Sequence, residues 1–273
     1  MRRGLNMEKK IPKLIHYCWF GGAPLPDLAV KCINSWKKYC PDYKIIEWNE
    51  QNYDLNSCDY VKEAYAEKKW AFVSDYARFD ILTKYGGIYF DTDVELIKSI
   101  DDVVMKGPFT GKEDIAGERV APGLALAAYP HFPLFEEILD FYQKEHFKLE
   151  TGNNTYTIVM YFTDLLKKYC YVPSNNIDFI QGMYIYPKKY FCPMDYYTGE
   201  LTIESETKSI HHYTESWKNT REKMWHKMEV KLYKGIGEKK AQQFLNLKSV
   251  RLIYHIVCEG VVTTMKKLRM KKR

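Results

Sequence analysis

No Cys-x-x-Cys pair occurs in this chain, although it holds seven cysteines, at positions 18, 32, 40, 58, 170, 192 and 258. An odd, scattered set fits neither a disulfide framework nor a zinc site, and a reducing compartment is the natural expectation. No run approaches the roughly 18 apolar residues that cross a bilayer. The basic opening, MRRGLNMEKKIPKL, has no apolar core of signal-peptide length. A cytoplasmic location is therefore expected. Internal repeats and low-complexity segments are also missing. Acidic residues are absent from the last eight positions, where Lys266, Lys267, Arg269, Lys271, Lys272 and Arg273 supply six positive charges. The whole chain carries a formal net charge of +6, so the remainder is neutral. That balance argues against a broad nucleic-acid face and for a local contact with an anionic surface such as a membrane, peripheral on its inner face.

The 273 residues suit one large domain, or a domain with an appendage, able to bury a substantial core. Aromatics make up 15% of the chain, chiefly 23 tyrosines, and core packing accounts for most of them. Leu14 to Phe20 reads as a buried strand ended by Gly21-Gly22, followed by a helix to about Tyr39 and a second strand from Tyr43 to Trp48. Strand, helix, strand is the opening of an α/β sheet. Residues 57–69 and 71–84 read as helices, with Gly86 as a left-handed stop before the short strand Ile88 to Phe90. Residues 107–123 are rich in glycine and proline and read as loops where a substrate lid could lie. Helices are predicted over 133–147 and 155–168, β structure over 179–193 and 209–213, and basic helices from about Trp217. An apolar helical face is predicted over 249–263.

The chemistry concentrates after the strand at Ile88. In an extended segment Tyr89, Asp91 and Asp93 share a face, with the two carboxylates roughly 7 Å apart. Paired carboxylates on a strand end suit a hard divalent cation, manganese or magnesium, which can in turn hold a diphosphate. Asp75 and Arg78 are three residues apart on one helix face, and by spacing alone they describe a surface ion pair. His211 and His212 are adjacent, so in a strand only one can enter a given site. Trp19 and Trp217 by themselves read as packing residues.

Four ordered motifs resemble one family. They are His16-Tyr17-Cys18-Trp19-Phe20-Gly21-Gly22, Ser74-Asp75-Tyr76-Ala77-Arg78, Tyr85-Gly86-Gly87-Ile88-Tyr89-Phe90-Asp91-Thr92-Asp93, and His211-His212-Tyr213-Thr214-Glu215-Ser216-Trp217. Together they resemble glycosyltransferase family thirty-two, the transferases with a DXD sugar-binding region, which include capsular-polysaccharide enzymes and yeast α-mannosyltransferases. The catalytic domains of the large clostridial glucosylating toxins are similar at the same motifs. The resemblance covers residues 11–105 and 180–217.

That resemblance implies an α/β GT-A fold, with a Rossmann-like mixed sheet over residues 1–225 and a helical, basic extension over 226–273. It implies a metal-dependent, retaining hexosyltransferase. The donor is a nucleotide sugar, UDP-linked by preference, and the acceptor a glycan or lipid-linked molecule in surface polysaccharide or glycoconjugate synthesis. By resemblance, Trp19 stacks on the nucleobase, and Asp75 and Arg78 hold the donor sugar. Tyr89 and Asp91 serve ribose, sugar or metal-bound water, while Asp93 ligates the metal. Ser216 and Trp217 lie over the diphosphate. The toxins carry a carboxylate and a serine where this chain has histidines, which leaves His211 or His212 as the second metal contact, His211 favoured. Two other classes share part of this inventory: a nucleotide-sugar-binding module without turnover, and a metal-dependent phosphoester hydrolase.

Overall fold

Leu14 to Cys18, with Ile15, His16, Tyr17 and Cys18 all buried, forms the strand around which the sheet is laid out. The computed structural model describes residues 10–114, 118–147, 157–214 and 220–260. The strands are β1 (Leu14–Cys18), β2 (Lys44–Trp48), β3 (Gly87–Tyr89), β4 (Val94–Leu96), β5 (Phe109–Lys112), β6 (Val120–Ala128), β7 (Asp178–Ile180), β8 (Met183–Tyr186) and β9 (Ser209–His211). The helices are α1 (Asp27–Tyr39), α2 (Asp59–Ala66), α3 (Trp70–Tyr85), α4 (Asp101–Val104), α5 (Pro133–Tyr142), α6 (Ile158–Lys168), α7 (Lys188–Phe191), α8 (Thr220–Ile236), α9 (Glu238–Leu245) and α10 (Lys248–Glu259). Two compact units result. One comprises Met1–Phe147, Thr157–Pro193 and Thr202–His212, and the other Lys148–Tyr156, Met194–Leu201 and Tyr213–Arg273.

The first unit holds a seven-stranded sheet in the order β2-β1-β3-β6-β5-β8-β7, with β4 and β9 as a separate antiparallel pair. It is the mixed α/β sheet expected: β1 runs parallel to β2 and β3, whereas β6 is antiparallel to β3 and β5. The chain leaves β1 for β2 on one side and returns for β3 on the other. β1 is thus a topological switch point, where open α/β sheets form a crevice beyond the carboxyl ends of their strands.

Packing explains why α3 is so long and so apolar. Val73 and every residue from Tyr76 to Thr83 are buried, so this helix is enclosed on nearly all sides rather than amphipathic. It ends at Gly86, whose φ of 63° and ψ of −169° favour glycine. The positive φ was expected from the sequence; the extended ψ directs the chain straight into β3.

The stretch 107–123 departs from its predicted loop. It supplies β5 and the start of β6, and all nine residues of β6 are buried. Register against β5 jumps from Thr110 opposite Leu126 to Gly111 opposite Ala121, so residues between them bulge out of the ladder. Pro122, without an N–H, is tolerated at such a bulge. Gly111, Pro122 and Gly123 thus lie in strands, whereas residues 113–114 and 118–119 lie between β5 and β6.

His16 ties three of these elements together. The Trp48 indole donates to its Nδ1 at 3.0 Å, which leaves Nε2 to donate to the Gly86 carbonyl at 2.9 Å. Both ring nitrogens are therefore committed in the neutral form. Burial lowers its pKa to about 4, against the smaller opposing effect of the Gly86 carbonyl. Between pH 6.5 and 4 the unfolded chain takes up a proton that the folded chain refuses, so this stability is complete above 6.5 and lost as pH falls. The loss amounts to about 3 kcal/mol. Urea unfolding at neutral and acidic pH is expected to show this as a wild-type decline that is smaller in His16→Gln.

Candidate active site

Two clusters of functional side chains gather where β3 ends, and a turn separates them. The Val94 N–H donates to the Asp91 carbonyl at 3.1 Å, closing a turn through Thr92 and Asp93. The expected extended geometry thus stops at Asp91. Asp91 and Asp93 do not share a face, because the turn sends their carboxylates to different partners.

Asp91 belongs to a buried charge network. Arg78 Nη2 lies 3.0 Å from Asp75 Oδ1 and 3.2 Å from Asp91 Oδ1, and Tyr89 donates its hydroxyl to the same Asp91 oxygen at 3.1 Å. The guanidinium lies 4.9 Å from the Tyr89 ring centroid. Because α3 is enclosed, Asp75 and Arg78 are not the surface pair their spacing describes: their side chains are 13% and 5% exposed. Burial raises the Asp75 carboxyl to about 7, with Arg78 opposing the shift and Asp91 adding to it. Asp75 can therefore carry or release a proton near neutrality.

One member of this network was not anticipated. A Cβ built on Gly123 would sit 1.8 Å from Asp91 Oδ2 and 3.3 Å from Arg78 Nη1, and the Asp91 N–H donates to the Gly123 carbonyl at 3.0 Å. Glycine is required at this bulge because the carboxylate occupies the space a side chain would take. Gly123→Ala is expected to push Asp91 off Arg78 and Tyr89 and destabilise the fold by about 1–3 kcal/mol. Adding Asp91→Ala removes the clash, so the double variant should be less destabilised than the sum of the two single variants, without regaining function. Thermal melts of the single and double variants test this.

Asp93 belongs to the second cluster. Antiparallel pairing sets Val94 opposite His211, which brings His211 Nε2 to 3.3 Å from Asp93 Oδ1. Both side chains are largely buried, at 16% and 11% exposure. Burial works to lower the His211 pKa, but the charge and hydrogen bond of Asp93 hold it well above its usual value. His212 points elsewhere, with its Nε2 2.8 Å from Glu95, which also binds Lys31 at 2.7 Å. Strand alternation thus assigns His211, not His212, to the neighbourhood of Asp93. No group of three or more metal-ligating His, Cys, Asp or Glu side chains occurs among the described residues.

Beyond the end of β1 is a cleft of about 690 Å³, lined by Trp19, Asn49, Gln51, Tyr65, Lys68 and Trp70, among others. Trp19 is held there by its indole N–H, which donates to the Ala23 carbonyl at 2.6 Å. The cleft lies at the switch point, with aromatic side chains and amide groups on its walls. Ser216 and Trp217 lie outside the described residues, as do the six basic residues between Lys266 and Arg273.

Comparison with known proteins finds similarity to glycosyltransferases. Residues 26–110 match the family described as "Glycosyltransferase sugar-binding region containing DXD motif". Inositol phosphoceramide mannosyltransferase 3 of Schizosaccharomyces pombe is 29% identical over 103 residues, covering 36% of this chain and 29% of that protein. The uncharacterized glycosyltransferase L373 of Acanthamoeba polyphaga mimivirus is 26% identical over 187 residues, covering 65% of this chain and 73% of that one. The chain thus spans under a third of the yeast protein but most of the viral one. Among solved structures, the PaToxG glycosyltransferase aligns with a TM-score of 0.47 and 20% identity, covering 59% of this chain and 70% of that chain. The matched span, which is similar to a glycosyltransferase sugar-binding region containing a DXD motif, contains Asp75, Arg78, Tyr89, Asp91 and Asp93.

Proposed function

We propose that this chain is a metal-dependent, retaining glycosyltransferase that moves a hexose from a nucleotide sugar, UDP-linked by preference, to a glycan or lipid-linked acceptor. The surface-polysaccharide or glycoconjugate setting belongs to the same reading. The observation that carries it is the buried Asp75–Arg78–Asp91 network beside the Asp93–His211 pair. In this reading the Trp19 cleft takes the nucleobase, by stacking on the indole and by hydrogen bonds to Asn49 and Gln51.

The donor set suits a divalent cation. Asp93 offers a carboxylate oxygen and His211 an imidazole nitrogen, a mixed pair that favours manganese and also admits magnesium. Two protein ligands leave coordination positions for a diphosphate. Asp93 and His211 would hold such a cation, which when bound would supply positive charge for the departing nucleoside diphosphate. Arg78 orients the sugar and diphosphate from a fixed position, and Asp75 orients sugar hydroxyls while holding or releasing a proton near neutral pH. Asp91 and Tyr89 keep Arg78 in place. Retention proceeds on the front face, with the leaving phosphate assisting the incoming hydroxyl; trapping of a covalent glycosyl-enzyme intermediate would contradict this.

A two-metal phosphoester hydrolase calls for more ligands than Asp93 and His211 bring together among the described residues. Incubation with manganese and a panel of nucleotide sugars tests the assignment. Slow release of nucleoside diphosphate from one donor is expected. Binding without release identifies a module without turnover, and attack on simple phosphodiesters identifies a hydrolase.

A further inference from the structure

The second unit carries a surface that the donor chemistry does not use. Residues 220–273 contain 15 basic and 4 acidic side chains, whereas residues 1–219 contain 26 and 31. The chain is therefore electrically divided, and its positive part is helical over α8, α9 and α10.

On α10 the 100° step between residues separates three arcs. Val250 and Cys258 are buried, and Tyr254 on the same arc packs edge-on against Trp225 with ring centroids 5.3 Å apart. Lys248, Arg251 and His255 form a neighbouring arc. The third arc consists of Leu252, Ile253, Ile256 and Val257, exposed by 39%, 51%, 39% and 43%. Four branched apolar side chains in water on one helix face are a patch rather than scatter. On α8, Met224 and Met228 are one turn apart and 62% and 61% exposed. Arg221, Lys227 and Lys231 are exposed on the same helix.

The charge indicates what covers such a face. A second copy of the same surface would bring like charges together at its rim. An apolar strip bordered by lysine and arginine instead matches an anionic bilayer: the branched side chains enter the acyl boundary while the cations remain among the head groups. We propose that the exposed faces of α8 and α10, centred on Ile253 and Val257, dock this protein onto anionic lipid. The inference goes beyond the transferase reading, since these helices carry none of the donor-site residues and the test reads binding alone.

Co-sedimentation of the full chain with phosphatidylcholine vesicles, with and without phosphatidylserine, tests it. Binding is expected to the phosphatidylserine vesicles and to weaken with added salt. Ile253→Glu with Val257→Glu is expected to reduce that binding at least about tenfold, with an unchanged circular dichroism spectrum. Should that variant misfold, Met224→Gln with Met228→Gln provides the same comparison on α8. The proposal is overturned if phosphatidylserine vesicles fail to bind the wild-type chain, or if pure phosphatidylcholine vesicles bind it equally well. It is equally overturned if the Glu variant binds as well as wild type, which would leave the basic tail acting alone. Wild-type self-association abolished by the Glu variant, without vesicle binding, would show the face to be an interface between copies.

Discussion

Arg78→Met is expected to lower donor turnover by about two to three orders of magnitude and to destabilise the fold by about 3–5 kcal/mol. Both effects follow from where the guanidinium lies. It is 5% exposed and links two carboxylates that, among the described residues, pair with no other cation, Asp75 at 3.0 Å and Asp91 at 3.2 Å. Methionine fills much of the same volume, so the loss comes from charge rather than from a cavity. Asp75, already raised to about 7 by burial, then loses the one partner that lowers it. It should be protonated at neutral pH, a neutral group that holds a sugar hydroxyl more weakly than the carboxylate does. Arg78→Lys restores the charge without the planar fork, and one ammonium cannot reproduce the paired contacts. Lysine is therefore expected to recover most of the stability and little of the turnover. Urea unfolding with donor-hydrolysis rates for the three proteins separates the two effects. A methionine variant that turns over donor at the wild-type rate would remove Arg78 from the site.

Asp75 also bears on the pH dependence of stability, with a sign opposite to that of His16. Its folded pKa of about 7 lies above the ordinary carboxylate value of 3.8, so the folded chain keeps a proton that the unfolded chain has lost. Its effect therefore reduces stability as pH rises from about 4 to about 7, while that of His16 increases it over much of the same interval. The wild-type curve sums two opposing slopes. For that reason the His16→Gln difference, not the wild-type profile alone, reports on the latch at Gly86.

Local features of the sequence carried far. The α3 helix, the glycine stop and the strand before Asp91 were readable because apolar spacing and glycine punctuation act over a few residues. The β1-α1-β2 opening was readable for the same reason. Features that depend on distant partners were not. Three-residue spacing is the same on a surface helix and an enclosed one, so only the packing around α3 shows that Asp75 and Arg78 are buried. Gly123 lies 32 positions beyond Asp91, and nothing in its neighbours announces that a carboxylate rests on its backbone. Glycine and proline made residues 107–123 look like a lid, whereas the same residues permit a bulge inside a buried strand. The choice between His211 and His212 needed the β4–β9 register, and the divergence of Asp91 from Asp93 needed the turn that separates them.

In the proposed reaction Asp93, together with His211, would hold a divalent cation for the donor diphosphate. Asp93→Asn keeps the shape of the side chain and its place beside His211, and removes the charge. Manganese-dependent release of nucleoside diphosphate from the preferred donor, measured alongside the melting temperature, is the direct test. A loss of at least about a hundredfold in rate is expected, in a protein that still melts cooperatively, at a temperature lowered by loss of the Asp93–His211 ion pair. An Asp93→Asn protein that melts cooperatively and releases nucleoside diphosphate at the wild-type rate and manganese dependence would contradict that role for Asp93.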